Sequence, residues 1–202
     1  AHMLAGLVRQ AGGVPLWLGQ IGDDLDAARA KMAEGLDRAD LVISTGGVSV
    51  GDHDVLTDLF LRWEGETLFN KVAMRPGSPT TAGVLDGKIC LALSGNPGAC
   101  FVGFHLFARP VLLGMQGCGD PYLPEIKAVL QGRNAKADAY TRFVRGRLLY
   151  TDDGRVGAEP VGQDKSSVMT SIKDADCLIR IPPGKTETAE GSLVTALRLP
   201  EA

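Results

Sequence analysis

The stretch LVISTGGVSVGDHD, residues 41–54, decides the fold of this 202-residue chain. It begins with the apolar residues Leu41, Val42 and Ile43, which are typical of a short strand buried in a parallel sheet. Glycines follow at once, and glycine permits the sharp turn by which such a strand leads into a helix. Bare glycine backbone also presents N–H groups to an anion. Because ligands of open α/β sheets bind beyond the carboxyl ends of the strands, this turn is a candidate ligand site.

Strand-like and helix-like segments alternate on both sides of this stretch. Asp23 or Asp24 is the predicted cap of one helix, and Asn96 followed by Pro97 starts another. Asp86-Gly87 is typical of a two-residue hairpin turn. The predicted helices are 4–11, 24–38, 54–63 and 97–113, and the predicted strands are 14–18, 41–43, 69–74, 80–85 and 88–93. This alternation predicts an α/β domain over residues 4–118, a doubly wound, mainly parallel sheet with the antiparallel hairpin as an edge pair.

A different pattern begins at residue 119. Short strand-like runs alternate with turn sequences such as Asp152-Asp153-Gly154. The runs are 125–130, 142–150, 155–161, 177–181 and 193–199. They predict a small all-β domain, a barrel or a sandwich, over residues 119–202. Residues 1–3 have the sequence expected of a tag remnant and are left out of the fold prediction.

The composition is that of an ordinary globular protein, with 45% hydrophobic and 22% charged residues. The formal net charge of −3 gives no reason to expect nucleic acid or an anionic membrane as a partner. No apolar run reaches the roughly 20 residues that cross a bilayer, so no membrane span is predicted. Cys90 and Cys100 lie among apolar residues, and the four cysteines form no metal-binding pattern. Reduced, buried thiols and a cytosolic location are therefore predicted.

The first motif with chemical content is STGGVSVGDHD, residues 44–54. Its glycines supply backbone donors, and Asp52 and Asp54 supply the carboxylate oxygens that Mg²⁺ prefers. Such an ion would in turn bridge to a phosphate. The alternative is a tight strand–helix connection with two solvated aspartates. The full string of eleven residues favours a site over that alternative.

The second motif is NKVAMRPGSP, residues 70–79. Lys71 and Arg75 are four residues apart, and in an extended segment this spacing places both side chains on one face. Two cations beside the turn at Pro76 and Gly77 suit a phosphate or an oxyanion such as molybdate. Two exposed basic residues on an edge strand remain an equally good interpretation of this motif alone.

The third motif is the helix start Ser94-Gly95-Asn96-Pro97. A glycine turn into a capped helix offers an anion the helix dipole and any free N–H groups of the first turn. Most such helix starts bind nothing, so the motif alone predicts only a well-capped helix. Three anion-competent turns that all follow strands of one domain favour a common ligand site.

In this order and spacing, the three motifs resemble the molybdopterin-binding domain of the molybdopterin molybdenumtransferase family, to which the C-terminal domain of gephyrin is also similar. The β-rich region after residue 119 resembles the last domain of that family. The resemblance implies insertion of molybdenum from molybdate into adenylylated molybdopterin, with Mg²⁺ as cofactor and AMP as the released product. The metal is left on the dithiolene sulfurs of the pterin.

The resemblance also implies roles for individual residues. Asp54 and Asp23 would be catalytic, and Asp54 with Asp52 would bind the metal ion. Lys71 and Arg75 would hold molybdate or the pterin phosphate. In the β domain, Arg145 and Ser166 fall at family positions that face the substrate. The remaining substrate-binding positions are Thr45, Gly46, Gly47, Ser49, Gly51, Pro76, Gly77, Ser94, Gly95, Asn96 and Pro97.

Members of that family are about twice as long as this chain, form homodimers and complete each active site with a partner subunit. The opening strand of their catalytic domain is also missing before Leu4. The resemblance therefore implies that this chain alone is inactive in metal insertion, and a molybdopterin adenylyltransferase is a candidate partner. The alternatives are an adenylyltransferase-like enzyme, against which the β-rich region argues, and a gephyrin-like scaffold that binds peptides.

Overall fold

The chain forms two compact units. One comprises residues 1–72 and 77–121, and the other comprises residues 73–76 and 122–202. The structure, a computed structural model, describes residues 1–22, 24–47, 55–62, 65–85, 87–152, 154–162 and 170–201.

The first unit is a four-stranded sheet with helices on both faces. Its strands are β1 (Leu41–Thr45), β2 (Glu66–Asn70), β4 (Thr81–Leu85) and β5 (Lys88–Leu93), and β3 (Met74–Arg75) belongs to the second unit. The strand order is β1-β5-β4-β2, parallel between β1 and β5 and antiparallel in the other two pairs. The helices are α1 (His2–Gln10), α2 (Leu25–Arg38), α3 (Val55–Leu61), α4 (Pro97–Gly103) and α5 (Arg109–Met115), with a π-helical turn at Phe104–Ala108 between the last two.

Alternation along β5 explains why helices cover both faces. Cys90 and Ala92 lie in a cluster with residues of α2 and α3, such as Met32 and Leu56. Leu91 and Leu93 lie in the opposite cluster, with α1 and the helix that begins at Pro97. Side chains of a strand point alternately to its two faces, so an all-apolar strand requires cover on both. The predicted α/β, doubly wound fold class is confirmed.

Two details of the predicted sheet are corrected. The hairpin strands β4 and β5 are the two inner strands of the described sheet, not an edge pair, because β2 pairs with β4 and β1 pairs with β5. The sheet is therefore mixed, and it contains one parallel pair. Residues 14–18 form no strand: Val14 is 95% exposed and Trp17 is 59% exposed. Their apolar sequence resembles a strand, but no described strand pairs with them.

Two of the predicted helix starts are confirmed by their caps, and the start predicted at Asp54 lies outside the described residues. The Asp24 carboxylate accepts a hydrogen bond from the Ala27 N–H at 2.7 Å and begins α2. Asn96 caps α4, with Pro97 at the first helical position. The continuous helix Pro97–Met115 has the length and composition of a membrane span, yet half of its apolar window is buried in the protein. That burial is typical of a core helix. Residues of this helix pack in one apolar cluster with Leu91 and Leu93 of the sheet.

The second unit is a closed five-stranded barrel with one added strand. Its strands are β6 (Glu125–Leu130), β7 (Thr141–Tyr150), β8 (Val156–Pro160), β9 (Cys177–Ile181) and β10 (Leu193–Arg198), with a short helix α6 (Thr170–Lys173). The pairing order β7-β8-β6-β10-β9 closes through pairing of β9 with β7. The strand β3 adds to β7 in parallel. The predicted small β-barrel is confirmed, and closure leaves its five strands without a free edge.

The prediction of a single strand at residues 69–74 is wrong. The segment contains the end of β2, in the first unit, and the beginning of β3, in the second. Between them Lys71 has a φ angle of 69°, a left-handed conformation that ends the extended run. Lys71 and Arg75 therefore do not share one face of an extended segment, as their spacing predicted.

Candidate functional site

Within the described residues, one edge of the sheet in the first unit carries the glycine turn of the first motif, Lys71 of the second and the helix start of the third. Ser44, Ala92, Thr81 and Asn70 are paired in one row across β1, β5, β4 and β2. The chain continues past this row into the glycine turn after β1, the helix start after β5, and Lys71 after β2. The carboxyl ends of these three strands thus meet at one edge, which is where α/β sheets bind their ligands.

The turns after β1 and β5 are in direct contact. The Gly46 N–H donates to the Leu93 carbonyl at 3.1 Å, and Thr45 Oγ1 donates to the Ser94 carbonyl at 3.1 Å. A Cβ atom on Gly95 would lie 3.1 Å from the Cα of Gly46. Glycine at position 95 therefore allows an approach of the two turns that a side chain at this position would crowd.

The glycine turn is exposed and strained for any other residue. Gly46 and Gly47 have φ angles of 86° and 67°, in the left-handed region that favours glycine. Thr45, Gly47 and Gly95 are all exposed. Within the described residues no backbone partner is present for the N–H groups of Gly47 and Gly95. The two turns together thus present exposed main-chain donors at the edge of the sheet, as an anion site requires.

The start of α4 offers fewer donors than its sequence predicted. The Asn96 side-chain carbonyl accepts from the N–H groups of Gly98 at 3.1 Å and Ala99 at 3.4 Å. The Cys100 N–H donates to the Asn96 main-chain carbonyl, and Pro97 has no N–H. The first-turn donors are therefore used within the protein. The helix would therefore offer an anion near Gly95 its dipole, but not these N–H groups.

Replacement of Gly95 by valine is expected to weaken anion binding at this edge about fivefold or more, because overpacking of about 1–3 kcal/mol would push the two turns apart. The measurement is a calorimetric titration of the chain with inorganic phosphate. Gly119→Val is the matched control, since a Cβ at Gly119 meets nothing within 4 Å. Equal affinity of both variants would show that the contact between Gly46 and Gly95 has no part in binding.

Lys71 lies at the far end of the same edge. Its N–H donates to the Thr80 carbonyl at 3.0 Å, and the Asn70 side-chain carbonyl accepts from Thr81 Oγ1 at 3.0 Å. Three strand spacings of about 4.8 Å separate the β1 and β2 ends of the row, about 14 Å in all. The Lys71 side chain is exposed. An extended, phosphorylated ligand would be needed to reach both Lys71 and the glycine turns.

The rest of the second motif is divided between the units. Gly77 is buried in the first unit, where its carbonyl accepts from Thr80 Oγ1 at 2.8 Å. Arg75 and Pro76 belong to the second unit. There the Arg75 guanidinium carbon lies 5.3 Å from the centre of the Tyr140 ring, and its Nε lies 3.8 Å from Oδ2 of Asp138.

Arg145 is buried in the barrel unit, at 7% exposure. Its Nε donates to Ser171 Oγ at 2.9 Å, and its carbonyl accepts from the Val161 N–H. This cation is therefore held within the second unit at the beginning of the short helix α6. A role toward substrate remains a prediction.

Six of the predicted site residues lie outside the described residues. They are Asp23, Ser49, Gly51, Asp52, Asp54 and Ser166. Within the described ranges no group of three or more histidine, cysteine, aspartate or glutamate side chains is placed to bind a metal ion. The predicted metal ligands Asp52 and Asp54 therefore remain predictions from the sequence.

The buried thiols are inert groups. All four cysteines are free, and Cys90, Cys100 and Cys177 are buried, as predicted for the first two. Burial raises the pKa of Cys90 to about 11. Burial also raises the pKa of Cys100, although the hydrogen bond from Thr45 opposes this shift. Thiols in this state are not nucleophiles at neutral pH.

His105 is a buried imidazole in the π-helical turn. It is 2% exposed, and within the described residues neither ring nitrogen has a hydrogen-bond partner. The rings of Phe101 and Phe104 pack edge-on against it at 4.6 and 5.6 Å. Burial, with a smaller contribution from Arg109, lowers the pKa of His105 to about 4. The imidazole is therefore neutral at physiological pH.

The sequence prediction missed the residues beside Arg75. Asp138 and Tyr140 precede β7, and they reach Arg75 only because β3 pairs with β7. The available signal was an acidic and an aromatic residue directly before a strand rich in arginine. Such a pattern is common in sequences, so the contact with Arg75 could be identified only from the structure.

The chain matches two family models. The probable molybdopterin binding domain matches residues 1–114, and the MoeA C-terminal region (domain IV) matches residues 127–199. Among solved structures, the molybdopterin biosynthesis MoeA protein of Pyrococcus horikoshii superposes with a TM-score of 0.78 at 26% identity, covering 100% of this chain and 48% of that one.

Curated relatives bear the name molybdopterin molybdenumtransferase. The Bacillus subtilis (strain 168) protein is 41% identical over 201 residues, which are 100% of this chain and 46% of the relative. The Staphylococcus aureus (strain COL) protein is 42% identical over 172 residues, 85% of this chain and 41% of the relative. The chain thus spans about half the length of the curated relatives that it matches. It belongs to the molybdopterin-binding domain family, and the C-terminal region of the MoeA proteins follows that domain in its sequence.

Proposed function

We propose that the chain is the substrate-binding part of a molybdopterin molybdenumtransferase, which inserts molybdenum from molybdate into adenylylated molybdopterin and releases AMP. The observation that carries the proposal is the contact of the glycine turns at Gly46 and Gly95, which leaves exposed main-chain donors at the edge of the sheet. The names of the relatives support molybdopterin as the ligand.

In this proposal the glycine turns bind the phosphate part of the pterin, since main-chain N–H groups suit an anion. Lys71 and Arg75 bind molybdate or the pterin phosphate through charge-assisted hydrogen bonds. Arg145 and Ser166 are proposed as further substrate-binding residues. Such cations stabilise the charge that develops as the adenylate leaves and the oxyanion enters.

Asp54 and Asp23 are the proposed catalytic carboxylates. Asp52 and Asp54 supply the type of oxygen ligand that Mg²⁺ takes, and bound Mg²⁺ would polarise a phosphoryl oxygen. The sequence supports this assignment through the spacing of the two aspartates after the glycine turn. We propose further that the longer protein works in the cytosol as a homodimer and receives its substrate from a molybdopterin adenylyltransferase.

A binding experiment tests the proposal on the chain itself. Calorimetric titration with molybdopterin is expected to show binding, and titration with a receptor-type peptide is expected to show none. Binding of the peptide alone would contradict the proposal and favour a scaffold. A variant with Gly95 replaced by valine identifies the site of any pterin binding.

Replacement of Lys71 by alanine is expected to weaken molybdate binding about five- to tenfold and pterin binding less, because the charge-assisted hydrogen bond lost would be made to the oxyanion. Separate titrations of the chain with molybdate and with molybdopterin measure both. Lys185→Ala, at another exposed lysine, is the control for net charge. An equal loss of both affinities would show that Lys71 has been assigned the wrong ligand.

A further inference from the structure

Arg75 has a defined environment within the barrel unit. It lies in β3, beside Arg142 of β7 in the strand register. Its guanidinium carbon stands 5.3 Å from the Tyr140 ring centre, and its Nε stands 3.8 Å from Asp138 Oδ2. Its side chain is still 56% exposed. These contacts therefore restrain a surface guanidinium without burying it.

The loop before β7 holds both neighbours of Arg75 in place. The Tyr140 N–H donates to Asp138 Oδ1 at 3.0 Å, and the Gly184 N–H donates to the Asp138 carbonyl at 2.9 Å. Since Oδ1 is used within the loop, Oδ2 is the oxygen that faces Arg75. The Asp138 carboxylate is thus held against the main chain of Tyr140, directly beside Arg75.

This arrangement selects one edge of the guanidinium for a ligand. The group is a planar fork with five N–H donors. Asp138 Oδ2 lies nearest to Nε, and the guanidinium carbon lies over the Tyr140 ring. Within the described residues no partner is present for the edge formed by Nη1 and Nη2, and the side chain is 56% exposed, so this edge is open to a ligand. That edge matches two oxygens of a tetrahedral oxyanion. A restrained side chain also loses less conformational freedom when it binds.

We infer that Tyr140 and Asp138 are positioning residues that orient the Arg75 guanidinium toward a tetrahedral oxyanion. The inference rests on the proposed function, in which Arg75 binds molybdate or the pterin phosphate. It adds that the affinity for the oxyanion depends on a ring and a carboxylate that do not touch it.

The test is a calorimetric titration of the 202-residue chain with sodium molybdate. Arg75→Ala is expected to abolish binding. Tyr140→Leu is expected to weaken it about three- to fivefold through loss of the cation–π contact. Tyr140→Phe keeps the ring and is expected to restore wild-type affinity. Tyr150→Leu, at an exposed tyrosine at the other end of β7, is expected to change nothing.

The variant Asp138→Asn separates two effects of Asp138 on molybdate binding: its orientation of the Arg75 guanidinium and its negative charge. The amide oxygen still accepts from the Tyr140 N–H, but the negative charge is gone. Charge removal alone would tighten binding of an anion, whereas loss of orientation weakens it. We expect Asp138→Asn to bind molybdate about twofold more weakly than the wild type does.

The outcomes distinguish this inference from the proposed function. If the wild type shows no binding above the buffer control, or if Arg75→Ala binds molybdate as tightly as the wild type, Arg75 does not bind the oxyanion. The inference and the proposed role of Arg75 then both fail. If Arg75→Ala loses binding but Tyr140→Leu keeps it, only the positioning role fails. Tighter binding by Asp138→Asn overturns the role of Asp138. Wild-type affinity of Tyr140→Phe would show that the weaker binding of Tyr140→Leu comes from loss of the aromatic ring and not from misfolding.

Discussion

Replacement of Asp54 by alanine in the full-length protein is expected to reduce molybdenum insertion about a hundredfold or more while the fold is kept. The residue ends the first motif, seven positions after Gly47, and it is proposed to bind the metal ion and to act in adenylate hydrolysis. Loss of a positioned acid–base group costs about 10²- to 10⁴-fold in rate. The measurement is single-turnover conversion of adenylylated molybdopterin and molybdate.

Two further variants test whether the loss of activity in Asp54→Ala comes from loss of this carboxylate. Asp54→Asn removes the charge with little change of shape and is expected to lose activity to a similar extent. Asp58→Ala removes an acidic residue from the first turn of α3, four positions further along the sequence, and is expected to retain activity. Circular dichroism checks the fold of each variant. Turnover at the wild-type rate by Asp54→Ala would remove this residue from the catalytic machinery.

Acidification from pH 6.5 to pH 4 is expected to destabilise the first unit by about 3 kcal/mol through His105 alone. The pKa of this buried imidazole is lowered from 6.5 to about 4, so within that window the unfolded chain takes up a proton and the folded chain does not. The contribution of His105 to stability is thus complete above pH 6.5 and is lost as the pH falls toward 4.

Comparison with an apolar variant isolates this contribution. In His105→Leu the imidazole and its unpaired nitrogens are gone, so the variant is expected to gain stability relative to wild type as the pH falls. Urea unfolding at pH 7, 5.5 and 4.5 measures the difference in stability, and far-ultraviolet circular dichroism follows the unfolding. The control His2→Leu changes an exposed histidine and is expected to show no such trend. A pH-independent difference between His105→Leu and wild type would contradict the prediction.

Local patterns were sufficient to predict most of the elements. The helix caps at Asp24 and Asn96, the hairpin of β4 and β5, and the five barrel strands all follow from signals within a few residues. Capping residues and alternating apolar residues act through neighbours in sequence. For the same reason the two glycine turns could be located before their contact was known.

Features that depend on the pairing of strands far apart in sequence could not be predicted. Residues 14–18 have a strand-like sequence, yet no described strand pairs with them. The pairing of β3 with β7 joins Arg75 to Arg142, and nothing near either residue specifies the other. A left-handed Lys71 is also unexpected, since non-glycine residues seldom adopt positive φ.

The first-turn donors of α4 illustrate a different kind of error. The cap at Asn96 was predicted correctly, but its hydrogen bonds to Gly98 and Ala99 remove the donors that the same motif was predicted to offer an anion. A cap and an anion compete for one set of N–H groups. A sequence motif of this kind therefore predicts the helix start better than it predicts the ligand.

The path of the chain ties the two units together more than once. Because residues 73–76 leave the first unit to supply β3 and the chain then returns to it, three covalent crossings join the units, after residues 72, 76 and 121. A single cut after Pro121 would therefore not release an intact barrel unit, since β3 would stay attached to the other fragment. Gene fragments or domain exchanges that treat residues 122–202 as a separable module would omit the strand that carries Arg75.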